Sequence, residues 1–327
     1  MNRNRTMRIA AAFLCAAMLL PIGGTAFAGT SSAVAVRQMG STRPTDQEIL
    51  YGAHMGNTST SINWSIGSGY PVEANVDYVT GNLYVNLNSA AAYYEISYNS
   101  QDPDTTIIGN GFTCNYTQSL KQYAKGSDDV LVYVNEFGKK EYLNKTVQDD
   151  GTIQWGNFVR QPNGDRNGGY YQSFDEQGRL QQIRIPHLAY LELMRFDYNP
   201  MGLLIHTYGQ IEERGAGNES FLYYTLIGDR QLPLVTQMVN LGWDNMYFDY
   251  DERGNMTSYK LDERTWFDFL YEEDSSRIRY LFDMASNESI TYTYTLHDGY
   301  YKVSFMQKTD VKGNILDQTQ FAYGNGQ

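Results

Sequence analysis

One short turn motif recurs along the second half of this chain at a nearly constant interval. Phe174-Asp175-Glu176-Gln177-Gly178-Arg179-Leu180 places an aromatic, an Asp, two free positions, a Gly and, two residues on, an apolar residue. Tyr198 to Leu204 repeats it with Asn199 for the Asp and Gly202 as the glycine. Tyr250-Asp251-Glu252-Arg253-Gly254-Asn255-Met256 repeats it again, and Asp310-Val311-Lys312-Gly313-Asn314-Ile315 is a further copy. Tyr271 to Ile278 is degraded, and Tyr224 to Leu232 is looser around Gly228. The turn centres Gly178, Gly202, Gly228, Gly254, Ser276 and Gly299 are 24, 26, 26, 22 and 23 residues apart. Self-similarity at such a period marks a repeat architecture.

The motif is turn chemistry. An Asp or Asn side chain at the first position accepts from backbone N–H groups a few residues on, and the glycine takes the left-handed conformation at little steric cost. A type I turn followed by such a glycine closes a hairpin with a bulge. The aromatic and the apolar residue then face each other across the two arms. The flanks alternate as strands do, as in Thr291-Tyr292-Thr293-Tyr294-Thr295-Leu296 and Tyr301 to Phe305. Each repeat therefore holds two strands and two turns, and the expected fold class is all-β.

Composition narrows the function. Aromatic residues make up 14% of the 327, with 28 Tyr, which no disordered chain carries. A net charge of −12 argues against nucleic acid and anionic membranes as partners. Arg3, Arg5 and Arg8 precede an uncharged apolar run from Ile9 to Leu20, and Ala26-Phe27-Ala28 suits cleavage before Gly29. Residues 1–28 thus read as a secretory signal peptide. Its apolar run is shorter than the roughly 20 residues of a spanning helix, and no membrane span is expected after it. Cleavage leaves Cys114 alone, which excludes an internal disulfide and reads as a buried, inert thiol. Residues 29–70, rich in Ser, Thr, Gly and Asn, read as a flexible linker or tether. Within them Thr45 and Glu48 suggest a capping box on a short helix to Tyr51.

The aromatic-Asp-x-x-Gly-x-apolar unit resembles the tyrosine–aspartate repeat of YD-repeat (RHS-type) proteins. Upstream, Val76 to Leu83 is similar to the T-G-N-L opening of the region before those repeats, and Ile96 to Gln101 to its Y-N-S strand. Gly109 to Tyr116 is similar to its G-x-G-W-x-x-N-Y element, with Phe112 where Trp is usual. Leu131 to Tyr142, centred on Asn135-Glu136-Phe137-Gly138, resembles the hairpin that follows. The resemblance covers about Val72 to Gln327. It implies an antiparallel meander of YD-type hairpins forming a long curled sheet, a partial shell or an open barrel-like spiral. Residues 71–150 would be the β region preceding the repeats and residues 151–327 the repeat sheet. About six repeats are too few to close a shell. Neither a toxin domain nor the Asp-Pro-rich self-cleavage segment of the large members is recognisable, so toxin delivery is not expected.

Candidate sites are sparse. His54, His187, His206 and His297 show no metal-ligand spacing, and neither a nucleophile elbow nor a phosphate loop is present. Glu272-Glu273-Asp274 reads as a solvated turn, although secreted glycosidases do pair carboxylates. Asp102-Pro103-Asp104 and Asp149-Asp150-Gly151 are oxygen-rich but lack the calcium-loop spacing. No cofactor and no catalytic residue is assigned. Asp175, Gly178, Asn199, Gly202, Asp251, Gly254, Asp310 and Gly313 are expected as structural turns. Trp155, Trp243, Trp266, Tyr223, Tyr247 and Tyr259 are the aromatics that would stack on a ligand if they lie on the outer face.

The resulting expectation is a secreted, non-enzymatic structural or interaction module, extracellular or wall-associated, that binds a partner polypeptide at the cell surface. Open sheet edges, which attract further strands, motivate it. A carbohydrate-binding surface built on exposed aromatics is the alternative, and a wall-polysaccharide hydrolase is a third reading.

Overall fold

The structure, a computed structural model, describes residues 45–66, 72–88, 95–122, 130–147, 149, 153–155, 158–159, 165–167, 170–175, 177–186, 191–211, 215–241, 244–262 and 264–324. The expected signal peptide and Trp243 lie outside them, and of Trp155 only the backbone is described.

Helix α1 (Asp46–Ala53) opens with the expected capping box: Thr45 Oγ1 accepts from Glu48 N at 3.1 Å, and Glu48 Oε2 from Thr45 N at 2.8 Å. Among the described residues, every strand pairing after it is antiparallel. The first sheet joins β1 (Ser61–Ile66), β2 (Val72–Asp77), β3 (Leu83–Asn88), β4 (Glu95–Asn99) and β7 (Phe112–Cys114) in that order, with the short pair β5 (Thr105–Thr106) and β6 (Gly109–Asn110) beside it. A second sheet runs β12-β11-β10-β9-β8. Its strands are β8 (Ser119–Gln122), β9 (Val130–Val134), β10 (Lys140–Val147), β11 (Ile153–Trp155) and β12 (Phe158–Val159).

The third is a 14-stranded meander in which every strand pairs with its sequence neighbours, curled but not closed into a barrel. It comprises β13 (Asp165–Asn167), β14 (Tyr170–Phe174), β15 (Leu180–Pro186), β16 (Leu191–Tyr198), β17 (Leu204–Ile211), β18 (Gly215–Ile227) and β19 (Leu232–Leu241). It continues through β20 (Met246–Tyr250), β21 (Met256–Leu261), β22 (Arg264–Tyr271), β23 (Ile278–Asp283), β24 (Glu288–His297), β25 (Tyr300–Asp310) and β26 (Ile315–Gln320).

The turn motif has one geometry wherever it is intact. Oδ1 of Asp175 accepts from the backbone N–H of residues 177 and 179 at 3.0 and 2.8 Å. Asn199, Asp251 and Asp310 repeat these two bonds at 2.8 to 3.0 Å. Gly178, Gly202, Gly254 and Gly313 each take a φ between +76° and +89°. The turn at Asn135 and Gly138 in the second sheet has the same bonds, at 3.0 and 2.9 Å. Across the hairpins Phe174 faces Leu180, Tyr198 faces Leu204, Tyr250 faces Met256 and Tyr271 faces Ile278, each beside a bulge.

A second device links successive repeats. The hydroxyls of Tyr198, Tyr224, Tyr250, Tyr271, Tyr294 and Tyr323 donate to the backbone carbonyls of Leu180, Leu204, Val235, Met256, Ile278 and Val303, at 2.5 to 2.9 Å. Burial raises the pKa of all six phenols, so the protons stay available for donation.

The core lies between the inner face of this meander and one face of the first sheet. Val72, Ala74, Val76, Val85, Ile96, Tyr98 and Phe112 meet Phe196, Phe248, Phe269, Leu281 and Val303 in one buried cluster. Phe112 meets Phe269 at 5.7 Å between ring centroids, and Tyr116 meets Phe196 at 5.4 Å. Polar bonds fix the register of the two layers. Tyr98 Oη donates to Ser276 O at 2.6 Å and accepts from Ile278 N at 3.1 Å, and Val235 N donates to Ile107 O at 2.8 Å. Cys114 is buried here, its thiol pushed up to about 11 chiefly by burial.

Two expected boundaries move. The linker cannot extend to residue 70, because α1 and β1 lie inside it and β1 pairs with β2 from Ser61↔Asp77 to Ile66↔Val72. Ile62, Trp64 and Ile66 point to the core while Asn63 and Ser65 face out, so the polar composition is the outer row of an edge strand. The division at residue 150 falls inside the second sheet, where Val147 pairs with Ile153.

Glycine demand differs among the turns. A Cβ on Gly228 (φ +64°) would lie 1.8 Å from Glu252 O, whereas one on Gly313 (φ +80°) would meet nothing within 4 Å. Gly313→Ala should therefore cost about 1–2 kcal/mol from the left-handed backbone alone. Gly228→Ala should cost more, because two turns must separate, and urea melts of both variants check the order. In the tyrosine series, Tyr250→Phe should cost about 1–2 kcal/mol by stranding a buried carbonyl. Tyr292→Phe should be near neutral, since its buried hydroxyl has no partner. Equal effects in thermal melts would refute a structural role for the tyrosine bonds.

Candidate functional site

Three places bring together groups that could recognise something. The first is a polar cleft of about 580 Å³ at the tips of consecutive hairpins, where the loop Pro103–Asn110 meets the turns at Asp229, Glu252 and Asp274. Its polar groups are largely spent on one another. Asn110 Nδ2 donates to Arg253 O at 3.0 Å and to Asn255 Oδ1 at 2.9 Å. Arg230 Nη2 donates to Arg253 O at 2.7 Å, and Arg253 pairs with Asp274. Glu272, of the acidic run considered for hydrolysis, pairs with Arg277 at 2.7 Å. These bonds tie neighbouring turns together.

The second place is the outer face of the meander. Register puts Tyr223, Gln237, Tyr247 and Lys260 opposite one another in one row across β18 to β21. The adjacent row holds Asp197, His206, Phe221 and Val239, with Tyr208 diagonal to it. The His206 ring stacks on Phe221 at 4.6 Å and on Tyr208 at 5.7 Å, and its Nδ1 lies 3.0 Å from Asp197 Oδ2. Tyr223 and Tyr247 are thus half-buried outer-face residues, while Tyr259 is not on this face. It is 1% exposed, its ring between Phe248 and Phe267 at 5.7 and 6.0 Å, because strand alternation aims it inward. Trp266 is half-buried and packs against the core next to the β21–β22 bulge. Sequence inspection missed Tyr208, Phe221 and His206. Their period-2 alternation with the buried Thr207, Ser220 and Leu222 was the available signal.

The third place is the last edge. Among the described residues β26 pairs with β25 alone, leaving half its backbone N–H and C=O groups without a strand partner there. Ile315 and Leu316 are 57% and 50% exposed, and Val311 in the preceding turn is 67% exposed.

The other titratable groups have structural surroundings. Asp77 Oδ2 accepts from Thr58 Oγ1 at 2.7 Å and Thr60 Oγ1 at 2.5 Å and lies 2.9 Å from His54 Nδ1, while Oδ1 accepts from Thr80 N at 2.7 Å. This knot anchors the end of α1 to β2. Among the described residues no group of His, Cys, Asp or Glu could hold a metal ion. Among them, too, no helix is long and apolar enough to cross a membrane.

Burial pushes the Asp77 carboxyl up, but its bonds to His54, Thr60, Thr80 and Thr58 outweigh that and hold it below the usual carboxylate range. A depressed folded-state pKa means that Asp77 contributes stability above its unfolded pKa and loses it as pH falls through the folded one. Asp77→Asn should therefore lower the neutral-pH melting temperature and flatten its decline below ~pH 4, as measured by thermal melts across pH. An unchanged acid limb would remove Asp77 from the account.

Compared with known proteins, the sequence matches no family model, and no curated protein is significantly similar to it.

Proposed function

We propose that this protein is a secreted, non-enzymatic interaction module of YD-repeat type whose open sheet edge takes up an extended segment of a partner polypeptide at the cell surface. The observation that carries this reading is β26. Natural sheets blunt such edges with proline, inward charge, bulges or a covering element. Ile315–Gln320 contains no proline and one charge, Asp317, its bulge sits at Leu316 beside the turn, and it exposes two large aliphatic side chains. A strand added there extends the meander by the same antiparallel pairing that builds it. With a chain net charge of −12, the fitting segment is one without excess acid, with aliphatic residues alternating along one face. The signal peptide and the resemblance of the repeats support the location and the class.

Leu316→Lys puts a charge on the edge without touching the core. It should reduce retention of the partner polypeptide from wall and secreted fractions at least tenfold. Hydrogen exchange across residues 315–320 should slow in the wild-type complex. Protection confined to other strands would refute edge docking.

The outer-face row favours a second reading, glycan binding, because Tyr223 and Tyr247 stand two strands apart, about 10 Å, on one face. Polysaccharide retained by the wild type but not by Tyr247→Ala would replace the edge reading with this one.

A further inference from the structure

Lys140 opens β10 directly after the Asn135–Gly138 turn and points its ammonium into the loop that leaves β4. Its Nζ lies 2.9 Å from Asp102 Oδ1 and 2.8 Å from Asp104 Oδ2. The side chains of Lys140 and Asp102 are only 6% and 2% exposed, while Asp104 keeps 30% of its surface. The loop is held in place. Asp104 N donates to Asp102 Oδ1 at 3.1 Å, and Gly111 N donates to Asp104 O at 3.0 Å. Helix α1 seals the site, since a Cβ on Gly52 would sit 3.0 Å from Lys140 Cβ. One buried ammonium faces a buried carboxylate, Asp102, and a partly exposed one, Asp104.

We infer that Lys140 Nζ and Asp104 Cγ condense to an intramolecular isopeptide bond, with Asp102 carrying the proton between them. Lys140 passes a proton to Asp102, and the free amine attacks the Asp104 carboxyl carbon. The C–N bond forms, the C–O bond breaks, and the Asp104 oxygen leaves as water with the protons that Asp102 relays. Ammonium plus carboxylate thus become amide plus one water, and Asp102 returns to its starting state; no oxidant or reductant enters.

Enforced contact supplies the drive. Well-oriented intramolecular pairs reach effective concentrations of about 10⁵–10⁸ M. The product replaces the buried Lys140 ammonium and the partly exposed Asp104 carboxylate with a neutral amide, and the exposed flank of Asp104 lets the water escape. Burial pushes the Asp102 carboxyl up, Lys140 pulls it down and Asp104 pushes it up again. The net direction is upward, which suits a group that must hold a proton in transit. Burial pushes the Lys140 ammonium down, but Asp102 and Asp104 outweigh that and push it up, so the proton transfer to Asp102 is the uphill step that the enforced contact must overcome. The bond would tie the loop beside the first sheet to the second.

The test is intact mass under denaturing conditions, with the N-terminus determined by sequencing. The folded wild-type protein should weigh one water less than its sequence, and fragmentation should find a branched peptide joining residues 104 and 140. Lys140→Arg and Asp104→Ala should carry the full mass, Asp104→Asn should lose ammonia instead, and Asp102→Asn should remain uncondensed. A wild-type protein of full mass after prolonged incubation overturns the proposal, even if every variant fails to fold. A branch at residue 102, or condensation in Asp102→Asn, overturns the assigned roles.

Discussion

The bond from a tyrosine hydroxyl to the backbone carbonyl of the preceding repeat is the contact on which the meander depends. A hairpin meander has only local pairing, and nothing in local pairing sets the curl between one hairpin and the next. Each of these tyrosines crosses that junction, from Tyr198 on Leu180 to Tyr323 on Val303. Because both ends are shielded from water, losing either partner strands a polar group at a cost larger than the bond's net worth. The same side chain places its ring in the core and its hydroxyl on the backbone, so packing and polar satisfaction select one geometry together.

The inner face of a curled sheet must still be covered. Here the first sheet covers it, with Tyr98 and Phe112 as the central rings and the hydrogen bonds of Tyr98 at Ser276 and Ile278 as the register marks. The upstream β region is therefore the other half of one core. The second sheet is attached through the Leu120 N to Gly178 O bond, the Tyr133–Phe174 contact, the bonds of the Asn99 and Thr113 side chains to the carbonyls of Phe137 and Glu136, and the Lys140 site. A covalent tie between Lys140 and Asp104 would add to these bonds a link between the second sheet and the loop that leaves β4.

Much of this was legible in the sequence. Asp175, Asn199, Asp251 and Asp310 announce their turns because side chain and glycine act within five residues, and Thr45 with Glu48 announces α1 for the same reason. What escaped depends on distant partners. β1 hid in a Ser- and Asn-rich stretch because only its inner row, Ile62, Trp64 and Ile66, carries the apolar signal. Tyr259 is a strand tyrosine like Tyr247, yet one faces the core and the other the outside, since Tyr259 pairs with Phe248, one residue along the strand from Tyr247. The aspartates at 102 and 104 resemble a cation loop until Lys140, 36 residues on, fills it.

The sequence by itself determined the turns, their period, the all-β class and the short capped helix, because each follows from contacts within a few residues. Only the tertiary structure decided which tyrosines are buried hydroxyl donors, which aromatics form the outer row, that the first sheet fills the concave face, and that β26 has one neighbour among the described strands. Those outcomes depend on groups far apart in the chain meeting at hydrogen-bond distance. No local pattern encodes how far a sheet will curl before another layer stops it.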